Sequence, residues 1–126
     1  MSKFRIAHTM LRVRNLEKSL DFYCRILGME VLRKSEYPSG RFTNTFVGYG
    51  PEATHATLEL TYNWDQDTPY QQGNGWGHIA LDVPDVYKAC DQLTAAGAII
   101  FVTWLRLPVI FDITHVLNPS VLDLSF

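Results

Sequence analysis

The sequence predicts an α+β fold built from two repeated β-α-β-β-β modules, 4–64 and 74–126, whose strands form curved sheets. Two internal matches and the alternation of strand faces predict it. AHTMLRVRNLEKSLDF (7–22) lies over GHIALDVPDVYKACDQ (77–92) at a constant offset. His8 meets His78, Leu11 meets Leu81, Val13 meets Val83, and Asn15 meets Asp85. Later, ATLELTY (56–62) lies over SVLDLSF (120–126) at a smaller offset, with Glu59 over Asp123. Hydrophobic patterning does not demand matching histidines or matching acids, so a duplication accounts for them. The 126 residues then make a single domain, with the polar segment 65–75 joining its halves.

In the first module, 8–13 alternates and reads as a strand. Asn15 is an N-cap, and Leu16, Leu20, Tyr23, Ile26 and Leu27 follow at helical spacing. Gly28 supplies the stop. Strands follow over 29–34 and 41–48 around the Pro38-Ser39-Gly40 turn, and a further strand over 57–62.

The second module begins alike, with a strand over 78–83, Asp85 as N-cap, a helix carrying Val86, Ala89, Cys90 and Leu93, and Gly97 as stop. Segments 98–102, 109–114 and 121–126 are candidate strands, and 103–108 is the least legible stretch. Side chains alternate faces along a strand. Thr9, Leu11 and Val13 oppose His8, Met10 and Arg12, and Leu58, Leu60 and Tyr62 oppose Glu59, Thr61 and Asn63. In the second module Ile79, Leu81 and Val83 oppose His78, and Leu122, Leu124 and Phe126 oppose Asp123. Each of these strands has an apolar face suited to lie under a helix and a polar face carrying His8, Glu59, His78 or Asp123.

Composition narrows the function classes. Apolar residues make up 47% and charged residues 19%, which suits a globular chain rather than a disordered one. A net charge of -2 without a basic run argues against nucleic acid held by phosphate neutralisation. No window approaches the roughly 20 apolar residues of a membrane span, and the first residues lack the apolar stretch of a signal peptide. Cys24 and Cys90 both fall in helical segments, which points to a reducing cytoplasm rather than a disulfide framework.

Each candidate ligand alone has an ordinary reading, as a hydrogen-bonded strand histidine or a solvated acid. Jointly, two histidines and two carboxylates at equivalent positions of two modules call for a cation, because buried acids facing imidazoles are costly without one. Nitrogen and carboxylate donors favour nickel, cobalt, zinc, manganese or iron over calcium. His55 and His115 have no repeat partners and are read as surface or loop residues.

HTMLRVRNLEKSLDFYCRILGM, FVGYGPE, LELTYNWD and GHIALDV resemble glyoxalase I (lactoylglutathione lyase) in its short bacterial form, within the vicinal oxygen chelate superfamily. The resemblance is dense from residue 5 to about residue 98 and ends after Ile100. There the family carries a glycine- and lysine-containing loop and then D-P-D-G-Y before a final glutamate. This chain reads FVTWLRLPVIFDITHVLNPSVLDLSF instead. Asn118-Pro119 stands in place of the D-P pair and Asp123 in the family's last strand.

The resemblance implies the glyoxalase/bleomycin resistance/dioxygenase fold, with mixed sheets and a homodimer whose active sites lie between subunits. It implies metal ligands His8, Glu59 and His78, with Asp123 as the fourth. Ni2+ is the implied ion, with Co2+ or Zn2+ as alternatives. Arg12 and Asn63 match residues that hold the substrate's glutathione portion.

The implied reaction isomerises the hemithioacetal of methylglyoxal and glutathione to S-lactoylglutathione, detoxifying methylglyoxal. A carboxylate, Glu59 or Asp123, takes a proton from one carbon and returns it to the next, beside an ion that acts as Lewis acid. Aspartate is one carbon shorter than glutamate, about 1.5 Å, and a misplacement of about 1 Å costs about 10²-fold in rate, so impaired activity is expected. The rival readings are another metalloenzyme of this superfamily, such as a dioxygenase or an epimerase, and a small-molecule-binding module without catalysis.

Overall fold

The computed structural model describes residues 3–71, 73–76, 79–100, 111–112 and 116–117. The chain divides into two compact units, one before and one after the segment around residue 72. In the first unit the elements are β1 (His8–Arg12), α1 (Leu16–Leu20), a π-helical segment (Asp21–Ile26), β2 (Glu30–Tyr37), β3 (Phe42–Gly48) and β4 (Thr57–Asn63).

The helix starts where its cap predicts. The Asn15 side chain accepts from the Lys18 backbone N–H at 2.9 Å, satisfying a donor that the first turn leaves open. The second half differs from the predicted α-helix, since it winds as a π-helix over Asp21–Ile26. Leu27 N–H donates to the Phe22 carbonyl at 3.0 Å, five residues back. A wider turn rotates successive side chains less. The adjacent rings of Phe22 and Tyr23 are thereby both buried, edge to face with centroids 5.2 Å apart. Gly28 then takes φ +74°, the left-handed stop that the sequence places there.

The sheet of this unit has the order β1-β4-β3-β2. β1 runs parallel to β4 with Met10 opposite Glu59. β3 runs antiparallel to β4 with Asn44 opposite Thr61 and Phe46 opposite Glu59. β2 runs antiparallel to β3 with an irregularity between Val31 and Arg33. The result is a curved, open mixed sheet, as predicted. β3 starts one residue later than the predicted 41, because Arg41 takes φ +53° to complete the turn. β2 runs on to Tyr37, three residues past its predicted end, and Tyr37 stacks on Phe42 across the hairpin at 4.6 Å.

The predicted division of faces is observed. Leu11, Val13, Leu58 and Leu60 are buried with Phe22, Tyr23, Ile26, Leu27 and Met29. Burying these side chains is the main force holding helix to sheet, at roughly 1.5–3 kcal/mol for each large one. His8, Met10 and Arg12 on the other face are exposed.

In the second unit the described elements are β5 (Ala80–Leu81), α2 (Val86–Ala95), β6 (Ile99–Ile100), β7 (Phe111–Asp112) and β8 (Val116–Leu117). β5 pairs antiparallel with β7, and β6 with β8. Asp85 caps α2, accepting from Tyr87 N–H at 3.0 Å and Lys88 N–H at 3.1 Å. Gly97 ends the helix at φ +95°. β5, β6 and β7 fall inside predicted strands, whereas β8 was not predicted as one. The predicted strand over 121–126, with Asp123, lies outside the described residues, as do His78 and His115. Among the described residues, no helix is long and apolar enough to cross a membrane.

Candidate metal centre

The polar face of the first unit brings candidate side chains together across neighbouring strands, with His8 diagonal to Glu59. β1 and β4 are parallel neighbours, so His8 and Glu59, on adjacent strands and one face, come together. His8 Nε2 lies 3.0 Å from Glu59 Oε2. The Glu59 side chain is 13% exposed and that of His8 44%, so the acid is sheltered and the imidazole reaches solvent. A sheltered carboxylate needs partners. Glu59 Oε1 accepts from Asn44 Nδ2 at 2.5 Å, and the Thr61 hydroxyl lies 3.4 Å from the same oxygen.

The His8 ring rests edge-on against Phe46, with centroids 5.3 Å apart. The Arg33 guanidinium sits over the same Phe46 ring, 3.8 Å from its centroid. Glu52 holds that guanidinium in a two-point pair at 3.1 and 3.2 Å. The pairing pushes the Arg33 pKa up and the Glu52 pKa down. Arg5 donates to the carbonyl oxygens of Glu52 and His55, tying residues before β1 to the loop before β4.

The geometry at Glu59 and His8 fits a divalent ion. Nitrogen and oxygen donors lie about 2.1 Å from such ions, so two donors at right angles are about 3.0 Å apart. The observed 3.0 Å suits either the direct hydrogen bond or a shared ion. One imidazole and one carboxylate are the donors that the described residues bring together. His78 and Asp123 lie outside the described residues. Cysteine ligation is disfavoured, because burial pushes the thiols of Cys24 and Cys90 up and lowers their thiolate fraction.

A second polar cluster lies further along the same two strands. Arg12 Nη1 donates to Asn63 Oδ1 at 2.8 Å, and the Tyr70 hydroxyl donates to the same oxygen at 3.2 Å. The Arg12 partner is a neutral amide, so this contact leaves the guanidinium charge uncompensated. Arg12 is four residues from His8 and Asn63 four from Glu59. At about 3.3 Å per residue the clusters are about 13 Å apart.

The repeat and strand alternation singled out His8 and Glu59, the resemblance to glyoxalase I singled out Arg12 and Asn63, and the structure pairs them as two sets. It did not single out Asn44, Phe46 or Tyr70. Asparagine is depleted in strands, so Asn44 between Thr43 and Thr45 carried a usable signal. His55, read as a surface residue, is exposed, with Nδ1 2.9 Å from the Thr54 hydroxyl oxygen.

Comparison with known proteins identifies the family. The chain is 58% identical over 92 residues to a probable lactoylglutathione lyase of Synechocystis, covering 73% of this chain and 70% of that one. It is 57% identical over 93 residues to a lactoylglutathione lyase of Neisseria meningitidis, covering 74% and 67%. Its fold matches the trypanothione-dependent glyoxalase I of Leishmania major with a TM-score of 0.78 at 37% identity, covering 94% of this chain and 81% of that one. The family model of the Glyoxalase/Bleomycin resistance protein/Dioxygenase superfamily matches residues 5–106, and the chain belongs to that superfamily.

Proposed function

We propose that this chain is a metal-dependent lactoylglutathione lyase that converts the methylglyoxal–glutathione hemithioacetal to S-lactoylglutathione, detoxifying methylglyoxal. The observation that carries the reading is the approach of Glu59 Oε2 to His8 Nε2, on a polar sheet face that also presents Arg12 and Asn63. His8, Glu59, His78 and Asp123 hold the ion, Ni2+ first and Co2+ or Zn2+ as alternatives. When bound, it supplies Lewis-acid polarisation of substrate oxygens where negative charge develops.

The chain's own residues do the rest. Arg12 offers a charge-assisted bond to a glutathione carboxylate, with Asn63 beside it for the peptide portion. A carboxylate, Glu59 or Asp123, removes the proton from the carbon bearing hydroxyl and sulfur and returns it to the neighbouring carbon. No atom is gained or lost, so the reaction needs no oxidant. The chain is read as a single domain made of two modules, 4–64 and 74–126, acting as a cytoplasmic homodimer with active sites between subunits.

The test is thioester formation from the preformed hemithioacetal after reconstitution with nickel, cobalt and zinc. Glu59→Gln is expected to lose roughly 10³-fold in kcat/KM, the scale of several kcal/mol of Lewis-acid stabilisation. Wild-type protein that takes up no ion and forms no thioester would sink the reading. Mixing inactive His8→Ala and His78→Ala dimers is expected to restore activity, because a hybrid dimer rebuilds one complete site between subunits.

A further inference from the structure

The hydrogen bonds around Glu59 extend to a strand that contributes none of the proposed donors. Asn44 sits mid-strand in β3, half-buried, directly opposite Thr61 of β4. Its Nδ2 donates to Glu59 Oε1 at 2.5 Å, while its Oδ1 accepts from the Thr61 hydroxyl at 3.1 Å. We propose that Asn44 is a positioning residue that holds Glu59 to the metal through one oxygen, occupying Oε1 so that Oε2 alone faces the ion and His8.

Three features support it. An ionised carboxylate only accepts, so the amide must turn its NH2 group toward Glu59. Thr61 fixes that orientation from the other side. Its single hydroxyl proton serves one acceptor, and the Asn44 oxygen at 3.1 Å is nearer than Glu59 Oε1 at 3.4 Å. Finally, the ladder between β3 and β4 sets the positions of Asn44 and Thr61 before any ion arrives. A free glutamate must lose rotamer freedom on binding, or can offer both oxygens. Here that ordering is done by the fold. The inference rests on the proposed metal-dependent lyase.

The experiment titrates Ni2+ calorimetrically into the metal-free full-length chain and measures kcat and KM for the hemithioacetal. It compares wild type, Asn44→Leu, Thr61→Val and the double variant. Asn44→Leu is expected to weaken Ni2+ binding by about 10–100-fold, the usual cost of removing a partner that orients a ligand. It should lower kcat with KM unchanged, since Arg12 and Asn63 are untouched. Thr61→Val should weaken binding less. The double variant should match Asn44→Leu alone, because Thr61 acts through Asn44.

Calorimetry on folded protein separates positioning from stability, since a loss of stability short of unfolding leaves the affinity of the folded site unchanged. Equal Ni2+ affinity in wild type and Asn44→Leu overturns the proposal and leaves the lyase assignment standing. A wild type that binds none of Ni2+, Co2+ and Zn2+ and forms no thioester overturns both. If Asn44→Leu does not fold, Thr61→Val decides, and unchanged Ni2+ affinity in that variant overturns the proposal.

Discussion

The two β-α units of this chain share their punctuation and differ in what they bury. Asn15 and Asp85 both cap their helices through the side chain, Asn15 accepting from the Lys18 N–H and Asp85 from the N–H groups of Tyr87 and Lys88. Gly28 and Gly97 stop them at positive φ. Yet the first helical stretch buries Phe22, Tyr23 and Ile26, whereas α2 buries none of its residues. Gln92 and Leu93 stand where the repeat places Phe22 and Tyr23. Helix ends are local chemistry, and the same short-range signals set them in both units. Burial depends on which side chains a helix brings to its neighbours, and there the two units differ.

The largest test of that contrast is truncation in each helix. Phe22→Ala, at a site with no exposed surface, should cost about 3–5 kcal/mol. Leu93→Ala, at a half-buried site, should cost about 1 kcal/mol, a fraction of full side-chain burial. Urea denaturation of both variants checks it, and equal losses would break the contrast.

The repeat also sets Glu59 against the shorter Asp123. Lengthening that acid by Asp123→Glu should raise kcat/KM of the nickel-loaded enzyme by up to about 10²-fold, the scale of a 1 Å misplacement. Asp123→Ala should lower it. Steady-state rates with no change in either variant would remove Asp123 from the site.

Caps should behave alike in the two units. Asn15→Ala and Asp85→Ala should each lower stability by about 1 kcal/mol, seen as similar shifts in the thermal midpoint. A cap effect confined to one unit would show that the local signals are not equivalent.

The smallest effect is a pH dependence specific to the first unit. The Arg41 guanidinium grips both oxygens of Asp65, whose hydrogen bond holds that carboxyl below the ordinary aspartate range. A depressed pKa means that the unfolded chain binds the proton more readily. The contribution is therefore present above the ordinary aspartate range and lost as pH falls through the depressed value. Asp65→Asn should flatten that part of the stability–pH curve, and the effect is small because the pair is exposed.

Much of this was legible beforehand because its causes are short-range or periodic. Period-two alternation assigned Leu11, Val13, Leu58 and Leu60 to the core and His8, Arg12, Glu59 and Asn63 to the polar face, and each lies where the alternation puts it. The π-helical turn was not legible, because it follows from fitting the Phe22 and Tyr23 rings together under a sheet. The late start of β3 was missed because Arg41 takes a left-handed conformation unusual for its residue type. Asn44 was passed over because its role depends on cross-strand register, which alternation along one strand does not contain.

The sequence by itself determined the β-α order of the first unit, the caps and stops of both helices, the two faces of β1 and β4, and the residue types offered to a metal. Tertiary structure decided which of those residues meet. Setting β1 parallel to β4, and β3 antiparallel on its other side, brings His8, Glu59, Asn44 and Thr61 into one hydrogen-bonded set. The reason is physical. Side-chain direction is fixed by neighbouring backbone torsions, whereas the pairing of strands dozens of residues apart is fixed only when the apolar face closes over its core.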